Sequence, residues 1–316
     1  MSRFNYGKVV RAVIIVAIFA YLARMVWSDW KEVEKASFTL KGLPFAAGTA
    51  LFAFSYFIQV GAWYLITARA GVALSFLETL QNWFYSQLGK YVPGKVWLFL
   101  ARFHFYESRG KSKKGISVAL YFETVTMVAA GGLIFWVSLL FFGDRNPYGL
   151  GEQARWLSLL IIPAFIFLHP RVLQTLLNWM LRRLGRDPIV LSFSYVDILW
   201  ILLICLLCWV VGGIGFTLFI NSIFSIAAGN MLFLMGALAC STLLGLIALF
   251  APSGLGVREG VLVYLLSFVV PGSIAVVLSL LSRLWMTLIE IGLIGVIYLM
   301  GRFQKGVKGK NLYGSY

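Results

Sequence analysis

Long apolar stretches alternate along this chain with short basic ones. Apolar runs at about 9–27, 43–67, 116–142, 197–220, 224–250 and 272–300 are each long enough to cross about 30 Å of hydrocarbon as a helix. A shorter apolar run covers 156–168. Basic residues punctuate them: Arg3, Lys8 and Arg11 at the start, Arg69, a dense group over 102–114, Arg171 to Arg186, and Arg302 to Lys310 in the tail. No ten-residue segments alternate with a period of two, as barrel strands do, so the fold class is all-α and polytopic. VLQTLLNWMLRRL, 172–184, alternates apolar and basic faces, which predicts an amphipathic interfacial helix within about 170–190.

Two interruptions break this pattern where a spanning helix is expected. One is GKYVPGKVW at 89–97; the other is APSGLGVREG at 251–260. Each sets Pro and Gly beside cations with apolar sequence on both sides. Each is also followed at the same distance by an ionisable residue in a long apolar run: Glu123 stands 29 positions beyond Gly94, and Arg283 stands 29 beyond Gly254. Matched, interrupted hydrophobic segments in two halves of a membrane protein point to a binding site at an inverted-repeat interface.

Cytoplasmic placement of the basic segments, which the positive-inside rule favours, turns these marks into a topology. Both termini, Arg69 and 102–114 lie inside. The intervening stretch then enters and leaves on one side as a re-entrant hairpin bent at Pro93-Gly94. The run 197–220 exits to the outside and 272–300 returns, so 231–270 forms a second hairpin of opposite orientation, bent over Pro252 to Gly256. The expected architecture is a single membrane domain of about six transmembrane helices plus two oppositely oriented re-entrant hairpins. Repeat one covers about 43–142 and repeat two about 197–300. Because 231–250 is apolar enough to cross alone, eight spans remain an alternative. The basic start before 9–27 lacks a signal-cleavage pattern, and the first run is expected to be a retained helix.

Composition supports the membrane reading and narrows the rest. Of 316 residues, 60% are hydrophobic and 12% charged, far below the roughly 25% charged of soluble domains. The net charge of +15 is read as positive-inside bias, with no nucleic-acid partner expected. Cys205, Cys208 and Cys240 all sit in apolar runs and are expected to pack as small hydrophobes. With His104 and His169 as the two histidines, no metal cluster is expected, and no cofactor. Gly131-Gly132, Gly212-Gly213 with Gly215, and Gly292 with Gly295 are small-residue packing positions.

The candidate site residues follow from the breaks. Pro removes a backbone donor and Gly relaxes the dihedral limits, leaving N–H groups unpaired at membrane depth, tolerable where protein or a water-filled cavity satisfies them. A half-helix starting at Gly94 or Gly254 would aim its positive end at such a cavity. The expected substrate-binding set is Lys90, Pro93, Gly94 and Lys95 with Pro252, Gly254, Gly256, Arg258 and Glu259, and the ligand an anionic headgroup, most simply a phosphate. Lys95 and Arg258 are expected to hold one phosphate together. Glu259 is either the partner of Arg258 or a proton acceptor, and Glu78 is interfacial. Glu123, Arg283 and Glu290 form an intramembrane pair or relay, because a lone charge there costs a few kcal/mol or more. Arg283 and Glu290 share a helix face with Met286 and Thr287 between them. The repeat spacing predicts that Glu123 and Arg283 pair with each other.

At these breaks the sequence resembles the transmembrane family of lysylphosphatidylglycerol synthases, including the flippase domain of multiple peptide resistance factor and its stand-alone, flippase-like relatives. The resemblance is carried by GKY-x-PGK at 89–95, P-x-G-x-GVRE at 252–259, and Ser282, Arg283 and Trp285 as SR-x-W. It spans nearly the whole chain. It implies a multi-pass protein of a bacterial or archaeal cytoplasmic (inner) membrane whose partners are membrane lipids. The chain ends at Tyr316 with no soluble aminoacyl-transferase domain, so synthesis of the lysyl lipid is not implied. The expected function is a lipid translocase, moving a phosphate-bearing phospholipid or polyprenyl-linked lipid. The alternatives are an integral-membrane glycosyl or phosphoryl transferase, for which no Asp-rich, HExxH or His-Asp motif is present, and a non-catalytic subunit of an envelope-biosynthesis complex. Homo-oligomerisation is left open.

Overall fold

The computed structural model describes residues 38–92, 96–142, 193–248 and 251–312 continuously, with 169–183, 185, 187, 188 and scattered positions between 20 and 34. About two thirds of the run 9–27 and the whole of 156–168 fall outside the described residues. We number the helices α1 (Gly42–Arg69), α2 (Phe76–Gln87), α3 (Val96–Ser108), α4 (Lys113–Phe142), α5 (Pro170–Arg183), α6 (Tyr195–Ile223), α7 (Met231–Ile247), α8 (Val257–Leu266) and α9 (Gly272–Leu312). Short 3-10 turns at Leu88–Tyr91 and Pro252–Gly254 stand at the two sequence breaks. Among the described residues, five segments are long and apolar enough to cross a membrane: Gly42–Arg69, Lys113–Phe141, Tyr195–Ile223, Ala228–Ile247 and Gly272–Arg302. Four match expected runs. The fifth starts later than its run at 224–250, because 224–227 is non-helical and Ala228–Asn230 is a 3-10 turn.

Helices α2, α3 and α8 have 12, 13 and 10 residues. At 1.5 Å per residue they extend about 15–20 Å, well short of the bilayer core. α2 and α3 fold back on each other as a hairpin. At its base Glu78 forms an ion pair with Arg109. Near its tip Gly89 lies so close to α3 that a Cβ there would sit 2.5 Å from the Leu98 backbone nitrogen. α7 and α8 make a second hairpin. The Phe233 and Phe268 rings meet at its base, 6.4 Å apart, and Gly254 presses on Gly245 near its tip.

The two hairpins open at opposite ends of the molecule. The base of α2–α3 lies at the end where α1 finishes and α6 begins, joined by Arg69 to Asp197 at 3.1 Å. Both acids at this end cap helices: Glu78 accepts from Ser75 and Asp197 from Ser194, in reciprocal capping boxes. The base of α7–α8 lies at the other end, where α6 finishes, α9 starts and Lys41 Nζ donates to Ser225 Oγ at 2.8 Å. The two tips pack against each other, Leu88–Tyr91 against Pro252–Gly254.

Close backbone packing makes this meeting of tips possible. α1 and α6 touch at Gly48 and Gly215, where a Cβ on either would come within 2.8 Å of the other's carbonyl oxygen. Trp285 then locks α9 onto that pair: its ring stacks on Phe219 at 4.2 Å and its Nε1 donates to Thr49 at 3.0 Å. One apolar cluster surrounds the first hairpin (Trp63, Phe84, Ile116, Phe122, Ile198) and another the second (Phe216, Leu234, Leu262, Leu266, Leu278). α5 carries two of its three basic residues, Arg182 and Arg183, in its last turn, with Leu173 buried and Trp179 exposed beside the Arg183 guanidinium. α5 lies within the segment 170–190 for which the sequence predicts an amphipathic interfacial helix.

Candidate functional site

Where the tips meet, they enclose a cavity of about 230 Å³. Gln87, Lys90 and Tyr91 line it from the first hairpin, and Ser253 and Arg258 from the second. α9 contributes Arg283, Met286, Thr287 and Glu290, all on one helical face, while α1 contributes Phe52, Ser55, Tyr56 and Gln59. Trp83, Trp209 and Thr242 close the wall. The cavity thus combines cations, amide and hydroxyl groups and aromatic faces, a mixture suited to a polar headgroup rather than to an acyl chain.

Its charges are organised in pairs with one left over. Lys90 on the first tip forms an ion pair with Glu290 on α9, whose side chain is 2% exposed. Arg283 forms an ion pair with Glu259, whose side chain is 1% exposed, and also points Nη2 at the Ser253 carbonyl oxygen, 3.5 Å away. Glu259 accepts a second hydrogen bond from the Gly256 backbone N–H at 2.6 Å. That carboxylate lies in the first turn of α8, where a negative charge also suits the helix dipole. Glu259 and Arg283 therefore fasten the second break to α9. Arg258 makes no ion pair with a carboxylate among the described residues; its Nη2 rests against Met286 Sδ at 2.6 Å, and a thioether is a weak acceptor. Among the described residues, three cations against two carboxylates leave Arg258 as the surplus charge of the site.

The second break has the backbone its sequence demands. Ser253 (φ 49°), Gly254 (φ 69°) and Gly256 (φ 84°) all adopt left-handed conformations, and Pro252 opens the turn. Such φ values are easy for Gly and uncommon for Ser. The helix that follows starts at Val257, three positions later than a start at Gly254 would place it. Of the first break, Pro93, Gly94 and Lys95 lie outside the described residues, so the cations brought together here are Lys90, Arg258 and Arg283.

One expected pairing is corrected, and one of the two alternatives for Glu259 falls away. Glu123 and Arg283 do not bind each other: Glu123 forms an ion pair with Arg102 on α3 and accepts from Trp83 Nε1 at 3.1 Å, while Arg283 is taken by Glu259. Nor is Glu259 the partner of Arg258. Each member of the spaced pair instead bonds to the helix that follows its own break, Glu123 to α3 and Arg283 to α8. The arrangement recurs in both halves with the signs of charge exchanged.

Arg102 is the residue that sequence reasoning missed, having been grouped with the cytoplasmic basic segment 102–114. It is 1% exposed, donates Nε to Ser86 at 2.8 Å and lies over the Trp63 and Trp83 rings at 4.9 and 5.2 Å. The clue was available, since Arg102 is the one charge within the apolar run Val96 to Phe105. Trp83, which bonds Glu123 on one side, faces the cavity on the other. The Arg102–Glu123 pair thus braces the cavity wall without lining it. Cys205 and Cys208 are buried, as small core residues.

Several long apolar helices gathered round a charged internal cavity define a multi-pass helical membrane protein with an internal polar site. The chain belongs to the lysylphosphatidylglycerol synthase transmembrane family, whose model, described as the lysylphosphatidylglycerol synthase TM region, matches residues 9–295. No curated protein matches the chain.

Proposed function

We propose that this protein is a lipid translocase that carries a phosphate-bearing headgroup through the cavity between its two hairpin tips while the acyl or prenyl tails stay in the bilayer. The observation that carries the reading is Arg258: a cation beside a helix break, with no carboxylate partner among the described residues, facing a cavity built jointly by both breaks. An arginine presents a planar fork of donors that matches phosphate oxygens bidentately. Membership of a family named for lysylphosphatidylglycerol makes a membrane lipid the substrate to test.

In this reading the hairpins are re-entrant, repeat one (43–142) and repeat two (197–300) are inverted copies, and the site lies near the middle of the membrane. The opposite opening of the hairpins and the contact between their tips support that arrangement. Short α2, α3 and α8 support it too, since their irregular ends meet inside protein rather than in lipid. The basic end of the molecule, with Arg69, Arg109 and Lys113, would face the cytoplasm of a bacterial or archaeal cell, with both termini on that side.

The test is reconstitution into liposomes with fluorescent phospholipids and a polyprenyl phosphate, scoring leaflet exchange by quenching from outside. Exchange of at least one phosphate-bearing lipid should run faster than in protein-free liposomes. Protein-free rates across the whole series would overturn the proposal.

A further inference from the structure

The cavity also holds a carboxylate with one of its two oxygens unmet. Glu290 is 2% exposed and lines the cavity; one of its carboxylate oxygens pairs with Lys90, while the other, Oε1, is buried without a hydrogen-bond partner among the described residues. A buried carboxylate oxygen left unbonded is costly, because an ionised group loses its hydration and regains nothing. The same cavity carries Arg258, a cation without a carboxylate among the described residues, and the side chains of Gln59 and Gln87. Unmet needs of opposite kind therefore face one space: an anion is wanted at Arg258, and an N–H or O–H donor at Glu290.

We infer that Glu290 reads a hydrogen-bond donor on the headgroup, so that the site selects phosphodiester lipids carrying an N–H or O–H group beyond the phosphate. The inference rests on the lipid reading above and adds to it a specificity-determining residue. Ammonium and hydroxyl groups satisfy the same oxygen. A quaternary ammonium does not, because it brings positive charge without a donor. Ethanolamine and choline headgroups share a phosphate and a formal charge, and they separate donation from charge. A glycerol headgroup supplies hydroxyl donors without any cation. A bare phosphate monoester supplies the anion but no group that extends past it.

Binding can be read without transport. The full-length protein in detergent is titrated with short-chain phosphatidylethanolamine, phosphatidylglycerol, phosphatidylcholine and phosphatidic acid, and its shift in unfolding temperature gives apparent affinities. Wild-type protein should bind the ethanolamine or the glycerol lipid about tenfold more tightly than the choline lipid, the size of one buried hydrogen bond to a charged group. Whichever of the two binds better identifies the donor as ammonium or hydroxyl. Glu290→Gln, which keeps the shape and removes the charge, should shrink that ratio towards one. Equal affinity for the choline lipid, preference for phosphatidic acid, or no binding at all would overturn the inference. Since the headgroup series needs no variant, it decides the matter even if Glu290→Gln fails to fold. Selective binding with no leaflet exchange would overturn the translocase proposal and leave the role of Glu290 standing.

Discussion

At the scale of single residues, the buried charges divide into those that hold the protein together and those that face the cavity with an unmet need. Arg102 and Glu123 belong to the first group: both are almost wholly buried, and each satisfies the other together with Ser86 and Trp83. Removing one partner of such a pair leaves an uncompensated charge and costs about 3–5 kcal/mol. Glu123→Ala and Arg102→Ala should each lower the unfolding temperature strongly, and the double variant should fall well short of the sum. Glu123→Ala combined with Arg283→Ala should be close to additive, since those residues have different partners. Thermal unfolding of these single and double variants in detergent checks both cycles, and strong coupling between Glu123 and Arg283 would contradict the geometry. Arg258 belongs to the second group. Arg258→Lys keeps the charge and loses the fork, so it should slow lipid exchange about tenfold while leaving the unfolding temperature nearly unchanged. Wild-type exchange in that variant would remove Arg258 from the site. Glu123, Arg283 and Glu290 were legible because a charge in a long apolar run stands out. Arg102 was not, because it adjoins a truly basic segment, and composition cannot tell the last buried cation of a helix from the first exposed one.

At the scale of elements, the two hairpins show what a break in an apolar run does and what pattern alone leaves open. Pro and Gly mark both places where helices end: α2 gives way to a 3-10 turn at Leu88–Tyr91, and Pro252–Gly254 is itself such a turn. The pattern could not show where the next helix restarts, because that depends on Glu259 capping Gly256 and on Arg283 holding Glu259. Equal spacing to Glu123 and Arg283 suggested that these two meet. Spacing, however, would at most mark equivalent positions in two repeats, and equivalent positions in an inverted pair need not touch. The second tip makes a sharp prediction. Gly254 has φ 69°, and a Cβ there would lie 2.9 Å from Gly245 Cα. Gly254→Ala should therefore destabilise by about 1–3 kcal/mol and distort the cavity. Gly292, inside α9, has no atom within 4 Å of its would-be Cβ. Gly292→Ala should be neutral or stabilise by up to about 1 kcal/mol through helix propensity. Unfolding temperatures of this matched pair separate strain at the tip from the general effect of adding a methyl group.

At the scale of the whole molecule, the open question is which end faces which side, and the hairpin geometry makes it a single question. The ion pairs of Arg109 with Glu78 and Arg69 with Asp197 put the ends of α1 and α3 and the start of α6 together. Ser225, Ala227 and Gly272 lie at the opposite end, beside Lys41, and they flank the base of the second hairpin. If α2–α3 and α7–α8 are re-entrant, these two groups must label from opposite sides. The dense cations at the first end then assign it to the cytoplasm. In a protein with Cys205, Cys208 and Cys240 replaced by Ala or Ser, single cysteines are introduced at Ser108, Lys113, Ser225 and Gly272. Cysteines at 225 and 272 should react with an impermeant maleimide added outside intact cells. Cysteines at 108 and 113 should react only after permeabilisation. The comparison of 225 with 272 tests whether the chain returns to the side it left, the segment between them holding a helix of full spanning length, Ala228–Ile247, and a short one, Val257–Leu266. If α8 crossed the membrane's remaining thickness with its flanks, α7 and α8 would be two spans and these sites would still label from one side. A single cysteine in place of Leu255, at the second tip, then separates the cases. A tip that reaches the cytoplasm reacts with the impermeant probe only after permeabilisation, whereas a tip held at the cavity reacts slowly from either side. Labelling of 225 and 272 from opposite sides would mean that α7–α8 is not a hairpin in the membrane and that the inverted repeat is wrong.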